Sequence, residues 1–314
     1  MGLAQPRNPG PSWGFRTIHW WDRHLPRSVR NAVVWLGGAV ARAIMPAQRA
    51  ASHEYLQALL GRPATRGESI RQFEAFTHSL LAKLRMGEVD THVDWLDDSQ
   101  REIGKILYGD EPILLGTFHV GASDLLGFHI KQTGRRVCMI RQRVENSEDI
   151  DRLIARSGGM VECLWVNSEA EMIFTLRDTL EAGKSLAMQC DRVQHASKSE
   201  AFEFLGARRL FPVTIYRLAS LYERPVLFCV ALPQGEDSFG VVAHEPFFPT
   251  GNKRADQQAA HAHFQSVLHW LESLLRAHPY EWFNFLPLNP ASVDANPNQC
   301  PKVPTANTPP SDAT

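Results

Sequence analysis

The sequence predicts an α/β fold: a helical N-terminal segment followed by a central mixed sheet flanked by helices. Three observations lead there. Up to about residue 100 the apolar residues keep helical spacing, most clearly Ile70, Phe73, Phe76, Leu80, Leu81 and Leu84 between Gly67 and Met86, with no convincing strand. From Glu111 the pattern changes to short apolar runs separated by charged periodic segments, as in strands alternating with helices around a buried sheet. Glycines then punctuate the helix ends at Gly134, Gly158-Gly159 and Gly183.

Element by element, strands are expected at Pro112 to Thr117, Arg136 to Arg141, Val161 to Val166, Ser185 to Cys190, Pro225 to Ala231 and Phe239 to Glu245. Helices are expected at Ala122 to Gln132, Ser147 to Arg156, Ser168 to Ala182, Pro212 to Tyr222 and Arg254 to His278. The chain divides into a tail and amphipathic segment over 1–45, a folded domain over 46–288, and a tail over 289–314. That last segment is dominated by Pro, Asn, Ser and Thr, so burial cannot offset its ordering entropy and disorder is expected.

Composition narrows the function. Lysines and arginines number 33 against 34 acids, which gives no whole-molecule attraction to nucleic acid, and none is expected as a partner. The five cysteines are widely spaced with no C-x-x-C pair, which argues against a disulfide framework or a zinc site and points to a reducing compartment. His261 and His263 diverge on a helix and make a poor chelate, so no metal is expected. The segment before Ala32 lacks the form of a cleavable signal peptide. Ala32 to Met45 is apolar but interrupted by Arg42, too short for the roughly 20 residues of a bilayer span. Trp20, Trp21, Arg23, Arg27, Arg30 and Trp35 suit a helix lying at a membrane interface; an ordinary core helix with exposed tryptophans is the competing reading.

The chemistry concentrates in Ile113-Leu-Leu-Gly-Thr-Phe-His119-Val-Gly-Ala-Ser-Asp124, an apolar strand running into a glycine-flanked histidine with an acid five residues on. On one continuous helix the two side chains would lie about 140° apart. They meet if His119 lies in the turn before a helix and Asp124 in its first turn. The carboxylate then fixes one imidazole nitrogen and leaves the other as a general base. The same two residues also read as a turn histidine and a helix-start acid.

Further blocks follow in order: Met139-Ile-Arg141-Gln-Arg143, Met188-Gln-Cys-Asp191-Arg192, Phe202-Glu-Phe-Leu-Gly206-Ala207, Phe211-Pro-Val-Thr214 with Arg224-Pro225-Val226, and His278-Pro-Tyr-Glu-Trp282-Phe283. With the His-x4-Asp motif, these resemble the lipid A late acyltransferase family, over residues about 15–288. Asp at 124 is the acid typical of the wider glycerolipid acyltransferase superfamily, where the lipid A branch more often has Glu. The closing Trp282-Phe-Asn-Phe285 departs from the branch that acts on lipid A itself and looks more like acyltransferases found beside fatty-acid-derived pathways.

The resemblance implies a glycerolipid acyltransferase-like fold and transfer of a fatty acyl group from an acyl carrier protein or coenzyme A thioester, as co-substrate, to a hydroxyl of a lipid or glycolipid. A lipid A precursor is one candidate acceptor. It implies His119 and Asp124 as catalytic residues, with Arg141 binding the oxyanion or an acceptor phosphate and Asp191 orienting Arg141 or the acceptor. No cofactor is implied, and the location implied is the cytoplasmic face of the inner membrane. A lipid-binding or scaffold protein that keeps the fold without activity, and a hydrolase using water, remain alternatives; the former would tolerate His119→Ala.

Overall fold

The computed structural model of the protein describes residues 17, 20–85, 92–96, 99–123, 126, 134–142, 160–166, 169–193 and 198–288. The helices expected at Ala122 to Gln132 and Ser147 to Arg156 fall largely outside them, as does the 289–314 tail.

Three helices lead the chain: α1 (Arg27–Ile44), α2 (Pro46–Leu60) and α3 (Arg66–Arg85). Pro46, at the first position of α2, separates it from α1, because the residue before a proline avoids helical geometry. Gly61, left-handed at φ 67°, ends α2. Thr65 and Glu68 form a reciprocal cap at the start of α3: the Thr65 N–H donates to Glu68 (2.7 Å) and the Glu68 N–H to the Thr65 hydroxyl (3.2 Å). Of the apolar α3 positions, Ile70, Phe73 and Leu81 are buried, whereas Phe76 is exposed and packs its ring edge against Phe283 and Phe285.

The remaining elements in order are β1 (His92–Trp95), α4 (Ser99–Leu107), β2 (Leu114–Thr117), β3 (Val137–Gln142), β4 (Val161–Val166), α5 (Glu169–Glu181), β5 (Ser185–Gln189), β6 (Ser199–Phe204), β7 (Ala207–Pro212), α6 (Thr214–Tyr222), β8 (Val226–Pro233), β9 (Ser238–Ala243) and α7 (Lys253–Ala277). Seven strands form one mixed sheet in the order β1-β9-β8-β2-β5-β3-β4. Strands β8, β2, β5, β3 and β4 run parallel; β9 pairs antiparallel to β8 and carries β1 parallel to itself.

Both sheet faces are covered, so its inner strands are apolar throughout. Leu114, Val226, Phe228 and Val230 point into a core shared with α7 through Phe264, Leu268 and Leu271. Leu115, Leu227, Cys229 and Val241 point the other way, toward Ile103 and Leu107 of α4. This two-residue alternation makes each strand serve two cores at once.

Two elements correct the sequence reading. The first hundred residues do contain a strand, β1, but it is a four-residue edge whose polar members His92 and Asp94 are exposed, which leaves little apolar pattern to read. The second is the β6–β7 hairpin, a separate two-stranded ribbon. Its turn residues Leu205 and Gly206 have φ of 51° and 71°, as a type I′ turn requires. Glu200, Glu203, Arg208 and Arg209 on its strands mask the buried Phe202, Phe204 and Phe211.

One glycine is fixed by space as well as by dihedral. Gly121 has φ 53°, and a Cβ there would stand 2.3 Å from the Ala231 carbonyl oxygen in β8. Gly134, at φ 75°, has nothing within 4 Å of such a Cβ. Gly134→Ala should therefore carry only the left-handed penalty, about 1–2 kcal/mol. Gly121→Ala should lose at least about 2 kcal/mol more, because backbone must move. Urea unfolding midpoints of the two variants check this, and equal midpoints would refute it.

Candidate active site

Strand β2 ends at Thr117 and β5 at Gln189, and these two residues are paired in the parallel register. Two residues beyond each strand lie His119 and Asp191, brought level by the same register at the carboxyl edge where α/β sheets collect functional groups. Between them, Phe118 turns into the core and stacks on Phe228, and Cys190 is buried with its N–H donating to the Thr117 carbonyl (2.8 Å).

The Asp191 carboxylate has no exposed surface, and His119 retains 17% of its side-chain exposure. His119 Nδ1 lies 2.6 Å from Asp191 Oδ1. The His119 backbone N–H (3.0 Å) and the Trp282 indole N–H (2.8 Å) both donate to Oδ2. Burial alone pushes this carboxyl up; the charge and hydrogen bond of His119, then Arg192 and the Trp282 N–H, outweigh it and hold it down at about 2. An ionised carboxylate only accepts, so Nδ1 carries a proton, and Nε2 is the nitrogen left to exchange a proton with a substrate.

The segment after α7 closes over this pair. The Phe283 N–H donates to the His119 carbonyl (2.6 Å), the Gly121 N–H donates to the Glu281 carbonyl (2.8 Å), and Val120 bridges Trp282 in antiparallel fashion. Asn284 donates to the Asp191 backbone carbonyl (3.4 Å) and accepts from Arg192 Nε (3.1 Å). Gln72 of α3 donates to the Trp282 carbonyl (2.6 Å), and Tyr55 of α2 packs edge-on to the indole. The N-terminal helices thus hold the back of the site.

Of the residues singled out from sequence, His119 and Asp191 come together, whereas Asp124 and Arg143 lie outside the described residues. Asp191 was expected beside Arg141 or an acceptor; both its oxygens are taken up by His119 and Trp282. Arg141 sits half-buried near the end of β3, opposite Trp165 of β4 and two strands from β2, roughly 10 Å across the sheet. It is engaged within the fold. Trp282 and Asn284 are site residues the sequence reading did not assign. The signal available was that a buried indole N–H needs an acceptor. Among the described residues no three of His, Cys, Asp or Glu gather as a metal would need. His263 instead bonds Tyr216 (2.6 Å) and the Glu245 carbonyl (2.8 Å).

In the comparisons with known proteins, the family model described as bacterial lipid A biosynthesis acyltransferase matches residues 12–288. A search of curated proteins finds no match.

Proposed function

Because the chain belongs to the bacterial lipid A biosynthesis acyltransferase family, and so is an acyltransferase, we propose that it transfers a fatty acyl group from an acyl carrier protein or coenzyme A thioester to a lipid or glycolipid hydroxyl. The observation that carries the mechanism is the buried His119–Asp191 pair. Nε2 of His119 takes the proton of the acceptor hydroxyl as its oxygen attacks the thioester carbonyl. The tetrahedral oxyanion collapses, the C–S bond breaks, and the proton returns from Nε2 to the departing thiolate, leaving an ester and the free carrier thiol. Asp191 keeps the ring oriented and stabilises the imidazolium. Asp124 is the second carboxylate of the proposal, and Arg141, on the same sheet edge, is assigned to the oxyanion or to an acceptor phosphate.

We place this chemistry at the cytoplasmic face of the inner membrane, with a lipid A precursor as one acceptor. Support comes from α1, whose Val29, Leu36, Val40 and Ile44 form an exposed apolar stripe, with Trp35, Trp20 and Trp21 also exposed beside Arg23 and Arg27. Among the described residues no helix is long and apolar enough to cross a membrane, so α1 is proposed to lie in the interface.

Incubating the protein with labelled acyl thioesters and a total lipid extract tests the reading. Wild type should yield a labelled lipid ester whose identity names the acceptor. His119→Ala should lower the rate by about 10²–10⁴-fold, the usual contribution of a general base. A His119→Ala enzyme as fast as wild type would overturn the mechanism.

A further inference from the structure

Behind the His119 loop lies a cavity of about 410 Å³, within the usual size of small-ligand sites. Its floor is the backbone of Gly121 and Ala122, two residues, or about 7 Å of extended chain, from His119. Its walls are one face of α3, the β8–β9 turn, and Tyr280 with Glu281. Polar side chains, among them Arg71, Glu74, His78 and Ser79, share the lining with apolar ones such as Ala75, Ala82 and Phe239, so the cavity offers hydrogen-bonding groups within a partly apolar wall.

The charges around the cavity cancel. Arg85 is bonded to Asp22 (2.9 Å) and Asp237 (2.8 Å), Glu236 pairs with Arg30 and Arg27, and Arg71 lies over the Tyr280 ring (5.8 Å) one helical turn from Glu74. Four arginines and four carboxylates thus stand around the cavity, which leaves it without a net excess of positive charge. Glu281 is the group without an answer: among the described residues its carboxyl takes no hydrogen bond. Burial pushes that carboxyl up to about 7, so near neutral pH a large fraction carries a proton and can donate as well as accept.

We propose that this cavity receives an uncharged, hydroxyl-bearing head group of the acceptor, bound by the Glu281 carboxyl and the polar face of α3. The assignment rests on the acyltransferase reading for the identity of the ligand as acceptor. It places the head group beside the loop that carries the base, and it disfavours acceptors whose anionic group would have to enter here.

The experiment uses the full chain, octyl glucoside below its micellar concentration as the uncharged probe acceptor and lysophosphatidic acid as the anionic one. Wild type, Glu281→Leu and Glu281→Gln are compared by steady-state kinetics and by tryptophan fluorescence titration with octyl glucoside. Glu281→Leu should raise the octyl glucoside KM and dissociation constant at least tenfold with the donor KM within twofold, and Glu281→Gln should stay within about threefold of wild type. If the donor KM moves instead, if Leu leaves the acceptor KM unchanged, or if wild type prefers lysophosphatidic acid, the proposal fails. Should wild type transfer to neither probe, binding that weakens in Glu281→Leu sustains the cavity and sinks the acyl transfer, whereas absent binding sinks the cavity. Glu281→Gln, near in shape, separates lost hydrogen bonding from misfolding.

Discussion

Asp191→Asn should lower acyl-transfer turnover by about 10³–10⁴-fold with little change in either KM. Oδ2 of Asp191 receives two N–H groups, from the His119 backbone and the Trp282 indole. An asparagine held in the same place must keep its carbonyl oxygen there. Its amide nitrogen then replaces Oδ1, facing His119 Nδ1 at 2.6 Å with donor against donor. The ring relieves the conflict by moving its proton to Nε2, the nitrogen that should accept from the acceptor hydroxyl. Geometry survives and basicity is lost, so the effect belongs to turnover rather than to binding. Asp191→Asn turnover within tenfold of wild type, with Asp124→Asn abolishing it, would show that the ring takes its orientation from Asp124 instead.

Glu281→Gln should be more stable than wild type at pH 8.5 by about 2–3 kcal/mol, and the advantage should vanish below about pH 4.5. The ordinary value of this carboxyl is 4.5, and burial raises it to about 7 in the folded chain. Between those values the folded state binds a proton that the unfolded state has released. Wild-type stability is therefore full below 4.5 and falls as pH rises through 7. A difference of this size corresponds to about 3 kcal/mol at 1.36 kcal/mol per unit, reduced somewhat because the group opens on the cavity. Glutamine does not titrate and follows the low-pH curve. Urea midpoints measured at pH 4.5 and 8.5 decide it, and parallel curves for the two proteins would remove the buried charge from the account.

These expectations depend on different depths of legibility. The strands at the sheet centre could be read within about two residues because burial on both faces writes continuous apolar runs, as in Val226–Pro233. Strand β1 and the β6–β7 hairpin were missed because short, charged elements rely on neighbours the sequence does not display. In the site, His119 was legible from its glycines and its place at a strand end. Its bonded partner was not, because proximity in sequence favours Asp124, while Asp191 arrives only through the adjacency of β2 and β5. Sheet order is a three-dimensional fact, and an offset of 72 residues between His119 and Asp191 leaves no local mark. Trp282, a further 91 residues from Asp191, was visible as a motif residue but not as a hydrogen-bond donor.

The pairing of 281–283 with the His119 loop also sets an order of events on the ribosome. Strands β2 and β5 emerge early and can associate, yet Oδ2 of Asp191 waits for an indole made 91 residues later. At about 5–20 residues per second, that delay lasts roughly 5–18 s. During it a nascent chain holds His119 and Asp191 without the strand that closes over them, so the general base is assembled last and a chain stopped short of Trp282 is born without its complete reacting centre.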